Sequence, residues 1–379
     1  MAGPTIRVVY AIPADAVDHV ADRAPAISTD VDAIGAWWQA QDAEREPRFD
    51  VTPFSCGLQM DLLVLRLGES AEALRTDSRR LEQIQDAAEV AGGLSPWITF
   101  LVYYDGPTDD DAVCGQGRGA AGSAGIAIVY LQACGGVSTA TVATHELLHA
   151  LGALPGFGAP HACPGDPGHP CDSTADILYP YTSGLQLGSF ALDVGHDDYY
   201  GHSGNWPDIQ RSPWLRLVHQ QRPLAVTVTG IGSVASDVPG LVCTARCSTQ
   251  WDLGAELSLE ASPAAGQRFV RWTGACTGEV TFCDLTVEDA TSVTARFAPA
   301  SVRLVVSLRG KGVVRGAGTA CRAGRCVRQT PSYTRLTLTA RPAAGWRFAG
   351  WTGSCTGLRP RCALPMEKAS GVAARFVRR

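Results

Sequence analysis

The chain has 379 residues, of which 45% are hydrophobic and 18% charged, and its formal net charge is −5. This length exceeds one ordinary hydrophobic core, so a globular protein of more than one domain is expected. No apolar run is long enough to span a bilayer, which excludes a transmembrane helix. Thirteen cysteines favour an oxidising compartment, although residues 1–4 lack the basic start of a signal peptide. We therefore expect a mature or trimmed form of an exported protein, secreted or held at the cell surface.

The first part of the chain alternates between two hydrophobic periodicities. Apolar runs of strand character occupy residues 6–12, 58–65, 98–104 and 126–131, and helical spacing occupies residues near 31–41 and 78–91. This order predicts an α/β (α+β) domain with a mixed sheet that leads into one further helix. Cys114 and Cys134 flank the predicted edge strand and could form a disulfide.

The segment His145-Glu146-Leu147-Leu148-His149 lies on that further helix. Ser138 and Thr139 supply an N-cap and Gly152 a C-terminal stop. Histidines four apart lie on one face of a helix, where both can bind one zinc ion. Glu146 then stands beside the metal as a general base, which takes a proton from a zinc-activated water and passes it to the leaving amine. A histidine pair can also be an ordinary surface or core feature, but the intervening glutamate favours a zinc hydrolase.

The run from His145 to Gly152 resembles the zinc-binding start of the metzincin peptidases, in which the glycine leads to a third histidine ligand. Pro155 stands where that histidine is expected, so the ligand must come from further along the chain. His161 and His169 are the two candidates. His169 precedes Asp-Ile-Leu-Tyr-Pro by a spacing that resembles a matrixin-type site with its methionine turn, and we favour it for that reason. His161 stays the alternative, and the histidine that does not bind zinc could still lie close to the ligands.

The resemblance implies roles for several nearby residues. Leu178 occupies the place of the family's methionine, where an apolar side chain of similar size can pack. Tyr179 is a candidate to stabilise the oxyanion of a tetrahedral intermediate, with packing as its other role. A disulfide between Cys163 and Cys171 would hold both candidate histidines near the zinc. Cys56 is the odd thiol, interpreted as a buried apolar side chain rather than an inhibitory zinc ligand.

A second cation is a further possibility. The carboxylates of Asp193, Asp197 and Asp198 could hold calcium, or they could form the solvated start of a helix. Together these features imply a metzincin-like domain over residues 5–218, with zinc, and with a protein or peptide as substrate.

The last third of the chain is an internal duplication. Cys247, Trp272, Cys276, Cys283 and Phe297 each reappear 79 residues later, and both units contain alternating runs of strand character. We expect two small all-β repeats, over residues 224–299 and 301–379, each needing disulfides for stability. Four cysteines in each repeat allow three pairings, between which the sequence does not choose. The Gly-Trp-x-Gly core and the closing Ala-x-Phe strand resemble the divergent bacterial surface repeats of the internalin B-repeat type.

Charge is unevenly distributed along the chain. Residues 301–379 carry sixteen of the 32 basic residues and one of the 37 acidic residues, so this repeat is near +15 and the remainder near −20. The basic repeat could bind an anionic cell-wall polymer, a polysaccharide or nucleic acid, or it could dock on the acidic catalytic domain. We predict a monomeric, exported zinc endopeptidase. The alternative is a catalytically inactive surface or polymer-binding protein that uses its C-terminal repeats.

Overall fold

The computed structural model describes residues 2–54, 57–93, 95–154, 158–181, 185–316 and 318–379. Cys56 and Pro155, which entered the sequence argument, lie outside the described residues. The chain divides into two compact units. The first comprises Met1–Arg222 with the short segments Val238–Gly240 and Thr249–Ala255, and the second comprises the other residues from Pro223 onward. In the described part of the chain, no helix has the length and apolar character needed to cross a membrane.

The first unit mixes helices and strands. In chain order its elements are β1 (Thr5–Ile12), α1 (Val20–Gln41), β2 (Arg45–Pro47), β3 (Val51–Phe54), β4 (Gly57–Met60), β5 (Leu62–Arg66), α2 (Ala71–Thr76), α3 (Arg80–Gly92), β6 (Ile98–Tyr104), β7 (Gly115–Ala120), β8 (Ser123–Tyr130), α4 (Thr139–Ala150), β9 (Ala162–Cys163), β10 (Asp166–Pro170) and β11 (Leu215–Leu217).

A five-stranded sheet forms the centre of this unit, in the order β5-β1-β6-β8-β7. The first four strands of that order are parallel, and β7 is an antiparallel edge strand. Every residue of β6 is buried, as expected for a parallel strand that is covered on both faces. The predicted run over residues 58–65 is divided at Asp61, so its first part pairs with β3 and its second part joins the sheet.

Helices cover the sheet on its two faces. The even-numbered residues of β1 from Ile6 to Ile12 lie in a core shared with α1 and α4, whereas Val9 and Ala11 lie in a core shared with α3. This division follows from the alternation of side chains along a strand. The helix α1 begins at Val20, eleven residues before the predicted start. Its first turns contain Pro25 and many exposed residues, which weakens the apolar spacing on which the prediction depended.

Two repeats with the same strand order make up the second unit, apart from residues 221–222, 238–240 and 249–255 of the first repeat, which belong to the first unit. The strands of the first are β12 (Gln221–Thr229), β13 (Gly232–Ser236), β14 (Val242–Cys243), β15 (Arg246–Asp252), β16 (Ala255–Pro263), β17 (Gln267–Gly274), β18 (Phe282–Val287) and β19 (Thr291–Pro299). Those of the second are β20 (Ser301–Arg309), β21 (Gly312–Gly316), β22 (Thr319–Cys321), β23 (Arg325–Pro331), β24 (Arg335–Pro342), β25 (Trp346–Gly353), β26 (Arg361–Pro365) and β27 (Ser370–Arg378).

Each repeat has two four-stranded sheets. In the first repeat the orders are β15-β12-β19-β17 and β14-β13-β16-β18, and the second repeat has β23-β20-β27-β25 and β22-β21-β24-β26. The first and last long strands of each repeat are parallel neighbours. The prediction of two disulfide-bonded all-β repeats is therefore confirmed.

The disulfides of the repeats join cysteines that are neighbours in sequence. The pairs are Cys243–Cys247 and Cys276–Cys283 in the first repeat, and Cys321–Cys326 and Cys355–Cys362 in the second. A buried tryptophan lies beside the second pair of each repeat, and its indole N–H donates to a backbone carbonyl. In the first unit, Cys114 pairs with Cys134 and Cys163 with Cys171.

Candidate metal centre

The helix α4 carries the first two candidate ligands. The Ser138 hydroxyl caps it by accepting a hydrogen bond from the Thr141 amide at 3.4 Å. The helix is buried over nearly its whole length, because it lies in the main core of the first unit. His145 and His149 are one turn apart on the face of the helix that lines a cavity of 660 Å³.

Glycines in the edge strand β7 allow α4 to approach the sheet closely. Gly115, Gly117 and Gly119 alternate along the strand and therefore share one face. A Cβ built on Gly117 would lie 2.4 Å from the Glu146 carbonyl oxygen, and one on Gly119 would lie 2.0 Å from the Ala150 carbonyl oxygen. Any larger side chain would therefore push the ligand helix away from the strand.

Three imidazole nitrogens meet in the cavity. The Nε2 atom of His169, at the end of β10, lies 3.2 Å from that of His145 and 3.3 Å from that of His149. The Nε2 atoms of His145 and His149 are also 3.3 Å apart. A nitrogen that donates a hydrogen bond has no lone pair left to accept one, so hydrogen bonds alone do not satisfy a three-way contact of this kind.

This triangle fits a tetrahedral metal ion. Nitrogens bound to tetrahedral zinc at 2.0–2.1 Å lie about 3.3 Å from one another. Neutral imidazole is a preferred ligand of zinc, copper, iron and nickel, and among the described residues that line the cavity the one cysteine, Cys114, is in a disulfide and offers no thiolate. The three histidines therefore have the geometry and the chemistry to hold zinc, and three ligands leave a fourth position open to the cavity.

Hydrogen bonds orient the imidazole of His145. Its Nδ1 lies 2.8 Å from the Ile177 carbonyl oxygen. Because a carbonyl only accepts, Nδ1 carries the hydrogen and Nε2 presents its lone pair to the cavity. His169 has a carboxylate behind it, with Asp166 Oδ2 at 3.0 Å from its Nδ1, although the angle is outside that of a hydrogen bond.

Burial keeps the two helical histidines neutral. It lowers the pKa of His145 to about 4, and the neighbouring His169 adds to the effect. Burial and the proximity of His145 and His169 also lower the pKa of His149 well below its usual value. Neutral imidazole is the form that binds a metal, so these shifts favour ligation at physiological pH.

Glu146 lines the same cavity. A Cβ on Gly115 would lie 2.6 Å from its Cγ, so the glycines of β7 also leave the space that this side chain occupies. Burial raises the pKa of Glu146 to about 8. A carboxylate with a raised pKa accepts a proton more readily than an exposed one, which suits a general base.

The turn at residues 176–180 supports the site through the Ile177 carbonyl, which faces His145. Asp176 holds the turn, since its carboxylate accepts hydrogen bonds from the amides of Leu178 and Val194 and from the Tyr199 hydroxyl. Leu178 is fully buried in the core that contains α4. Tyr179 is half-buried, and it is not among the described residues that line the cavity.

The structure brings His169, and not His161, to the helical histidines. The Nδ1 atom of His161 lies 3.1 Å from Asp198 Oδ2, and its backbone amide donates to Asp198 Oδ1. Partial burial acts in the opposite direction, but the Asp198 carboxylate raises the pKa of His161. His161 is therefore held by Asp198, away from the three converging nitrogens.

The predicted calcium ligands are also close together. Oxygen atoms of Asp193, Asp197 and Asp198 lie within 4.8 Å of one another. Asp193 accepts hydrogen bonds from the amides of Tyr199 and Tyr200, and Asp198 is paired with His161. No helix begins at this point in the described chain, so the alternative of a helix start is wrong. The two buried carboxylates hold a turn together, and calcium stays a prediction.

Two features of the site were not predicted. The Gly-x-Gly-x-Gly alternation at residues 115–119 was a usable signal, because glycine repeated with period two indicates a strand face approached by another backbone. Asp166, behind His169, had no such signal, since the contact depends on the β9–β10 hairpin.

The repeats have a recognised family. Residues 223–301 and 306–379 each match the family model described as the divergent InlB B-repeat domain. The two repeats are therefore of this family, as their sequence resemblance predicted. With the six disulfides, the match is consistent with an extracellular or cell-surface location. No curated protein is significantly similar to the chain.

Solved structures give only weak similarity. The major pilin protein T-13 of Streptococcus pyogenes aligns with 8% identity and a TM-score of 0.23, over 42% of this chain and 97% of the pilin. The Bacillus anthracis TIE protein aligns with 9% identity and a TM-score of 0.27, over 43% of this chain and 35% of that protein. At these TM-scores the similarity supports no conclusion about this chain.

Proposed function

We propose that the chain is an exported zinc-dependent endopeptidase whose catalytic domain, over residues 5–218, is metzincin-like. The observation that carries this proposal is the convergence of the Nε2 atoms of His145, His149 and His169 beside Glu146 on one cavity wall. Zinc, when bound, lowers the pKa of a water molecule and polarises the carbonyl that the water attacks. The open fourth position is the arrangement of a catalytic rather than a structural zinc site.

Glu146 supplies the proton transfer. Glu146 lies on the same turn of α4 as His145, but it is not one of the three proposed zinc ligands. Its carboxylate is therefore available to the attacking water. It takes the proton of that water and later gives it to the leaving amine. Burial alone raises its pKa to about 8, and the charge of a zinc ion bound beside it would favour the ionised, basic form.

The edge strand β7 supplies a surface for the substrate. It pairs with β8 on one side, and no strand of the described chain pairs with its other side. Residues 115–119 of β7 also line the cavity. An unpaired edge offers backbone donors and acceptors to an extended peptide, which would place a main-chain carbonyl beside Glu146. This supports a peptide substrate over a small-molecule ester or amide.

Three local features support the metzincin-like assignment. Gly152 has a φ of +95°, and a Cβ there would lie 2.2 Å from the Ala121 amide nitrogen, so the turn after α4 requires glycine. His169 arrives from a later hairpin as the third ligand, and Leu178 is buried in the turn whose Ile177 carbonyl holds His145. The family's own third-ligand place and methionine are filled by Pro155 and Leu178, so the assignment depends on geometry rather than on the full motif.

A matched pair of measurements tests the proposal. The full chain should contain about one zinc per molecule and cleave an unfolded protein such as casein, with loss of activity on chelation and recovery on adding zinc. Glu146→Gln should keep the metal, because Glu146 is not a ligand, while activity falls by ~10²-fold or more. Undiminished cleavage by this variant would remove Glu146 as the base. Absence of both zinc and cleavage would instead favour the inactive, polymer-binding alternative.

A further inference from the structure

The two repeats share a scaffold but differ in charge at equivalent positions. Outward-facing residues of the sheet β22-β21-β24-β26 include Arg315 and Arg341, which are exposed. The same strand positions in the first repeat hold Ala235 and Ser262, which are uncharged. Because the fold does not require these arginines, their presence in one repeat alone points to a role outside folding.

Three of the basic side chains of the second repeat surround one cavity. It has a volume of 440 Å³ and lies where the turn after β20, the loop after β22 and the end of β24 meet. Among the described residues that line it, the charged ones are Lys311, Arg322 and Arg341, and none is acidic. We call this cavity the basic pocket. In the first repeat the corresponding residues are Ile231, Thr244 and Ser262, which carry no charge.

Nothing within the described repeat neutralises these cations. The salt bridges of the described residues all lie at or before residue 252. Glu367, the single acid of residues 301–379, is not among the residues that line the pocket. Like charges around one cavity repel each other, and an anion bound between them would remove that cost.

Positive charge continues beyond the pocket. Arg309 and Arg375 are exposed direct neighbours on the parallel strands β20 and β27, where a like-charged pair is unfavourable. The corresponding pair in the first repeat is Thr229 and Arg296, which avoids the repulsion. An extended anion with several charges would contact both the pocket and these neighbouring arginines.

We propose that the basic pocket binds a phosphate group of a linear, phosphate-bearing polymer, and that the surrounding arginines bind the adjoining charges of the same chain. Two guanidinium groups offer paired N–H donors that match phosphate oxygens, and the lysine adds a compact charge. The uncharged lining residues are glycine, alanine, valine and proline, and the Trp346 ring beside Gly310 is half-buried, with the Arg378 guanidinium over it. A single-stranded nucleic acid would need exposed rings for base stacking, so the lining favours a phosphate polymer without bases.

The sister repeat supplies the substitutions that test this site. In the full chain, Lys311, Arg322 and Arg341 are replaced by their first-repeat counterparts, as Lys311→Ile, Arg322→Thr and Arg341→Ser. The matched control removes three cations from the opposite end of the repeat, with Arg303→Ala, Arg335→Ala and Lys368→Ala. Arg303 and Arg335 lie at the starts of the strands whose ends reach the pocket, roughly 20 Å away.

Binding of inorganic polyphosphate is measured at several salt concentrations for each protein. The pocket variant should bind at least ~10-fold more weakly than the unaltered chain, since charge-assisted hydrogen bonds are lost, and the control should lose clearly less. Lys311→Arg should retain binding. Circular dichroism checks that both triple variants keep the β structure of the repeats.

Two results would overturn the proposal. Equal weakening by both triple variants would mean that the positive field is diffuse and that the pocket is not a site. Tighter binding of single-stranded DNA or of polygalacturonate than of polyphosphate, at equal charge concentration, would mean that the phosphate-polymer assignment is wrong.

Discussion

The two units of the chain differ in how deeply their candidate functional residues are buried. In the first unit His145, Glu146 and His149 belong to a buried helix, and the glycine backbone of β7 lies directly against it. In the second unit the arginines and the lysine that are present in one repeat only are exposed, while the buried tryptophan beside the second disulfide, the phenylalanine and the disulfides recur. Packing therefore fixes the chemistry of the first unit, whereas the second unit can change its surface charge without changing its fold.

The largest expected effect lies in the third ligand. His169→Ala removes one of three nitrogen donors and should reduce zinc affinity by several kcal/mol, measured by titration against a chelating indicator. His161→Ala removes the contact with Asp198, which lies outside the triangle of histidines. It should lower zinc affinity by at most the ~10- to 100-fold that is typical of residues that contact a ligand rather than the metal. If the two variants lost zinc in the reverse order, the arrangement of the β9–β10 hairpin described above would be wrong.

The second unit should respond to reduction rather than to chelation. Each repeat has two disulfides, and the paired cysteines are four to seven residues apart in sequence. Such short loops contribute about 2 kcal/mol each, so reduction should destabilise each repeat by about 4 kcal/mol. Calorimetry with and without a phosphine reductant, in parallel with a chelator, measures this. Chelation should shift only the transition of the first unit, and a shift of both would show that the units do not unfold independently.

A smaller effect is expected for the glycine strand beside the ligand helix. In Gly117→Ala the new Cβ meets the Glu146 carbonyl oxygen and the His149 Cβ, which should destabilise the first unit by ~1–3 kcal/mol and weaken zinc binding. Gly35→Ala is the matched control, since no atom lies within 4 Å of its Cβ and alanine favours a helix interior. Denaturant titration should therefore show Gly35→Ala unchanged or stabilised. Equal loss in both variants would contradict the close approach of α4 to β7.

The smallest expected effect is on peptide hydrolysis when the basic repeat is removed. A chain that ends at Pro299 keeps every segment of the first unit, so it should cleave a short soluble peptide with unchanged kcat/KM. Its retention on an anionic matrix should fall and should no longer depend strongly on salt. Loss of hydrolysis without a change in retention would mean that the basic repeat supports the catalytic domain rather than a separate ligand.

The sequence predicted some of these features for identifiable physical reasons. The helix α4 and its histidine pair follow from local signals, namely the Ser138 cap, the four-residue spacing and Gly152. The two repeats could be predicted because the same cysteines, tryptophan and phenylalanine recur at a constant spacing along the chain. The predicted start of α1 was wrong, because the first turns of this helix are largely exposed and contain a proline. They therefore lack the apolar spacing of a buried helix.

Other features depend on contacts between distant parts of the chain. Choosing between His161 and His169 required the β9–β10 hairpin, and only a resemblance in spacing favoured His169. The disulfide pairing in the repeats required strand neighbours, which four cysteines in a short segment do not specify. The position of Tyr179 away from the cavity wall also follows from the turn held by Asp176, which no local pattern predicts.

The Cys163–Cys171 disulfide makes the assembly of the metal site conditional on the surroundings of the protein. Two of the ligands come from a helix, but His169 comes from a hairpin closed by a bond between residues eight apart. In a reducing compartment the hairpin would keep its backbone pairing but lose this covalent constraint, so the position of His169 would be less strictly fixed. If the three histidines hold zinc as proposed, the reduced chain should bind the metal more weakly than the oxidised chain, and the proposed peptidase activity would depend on oxidation.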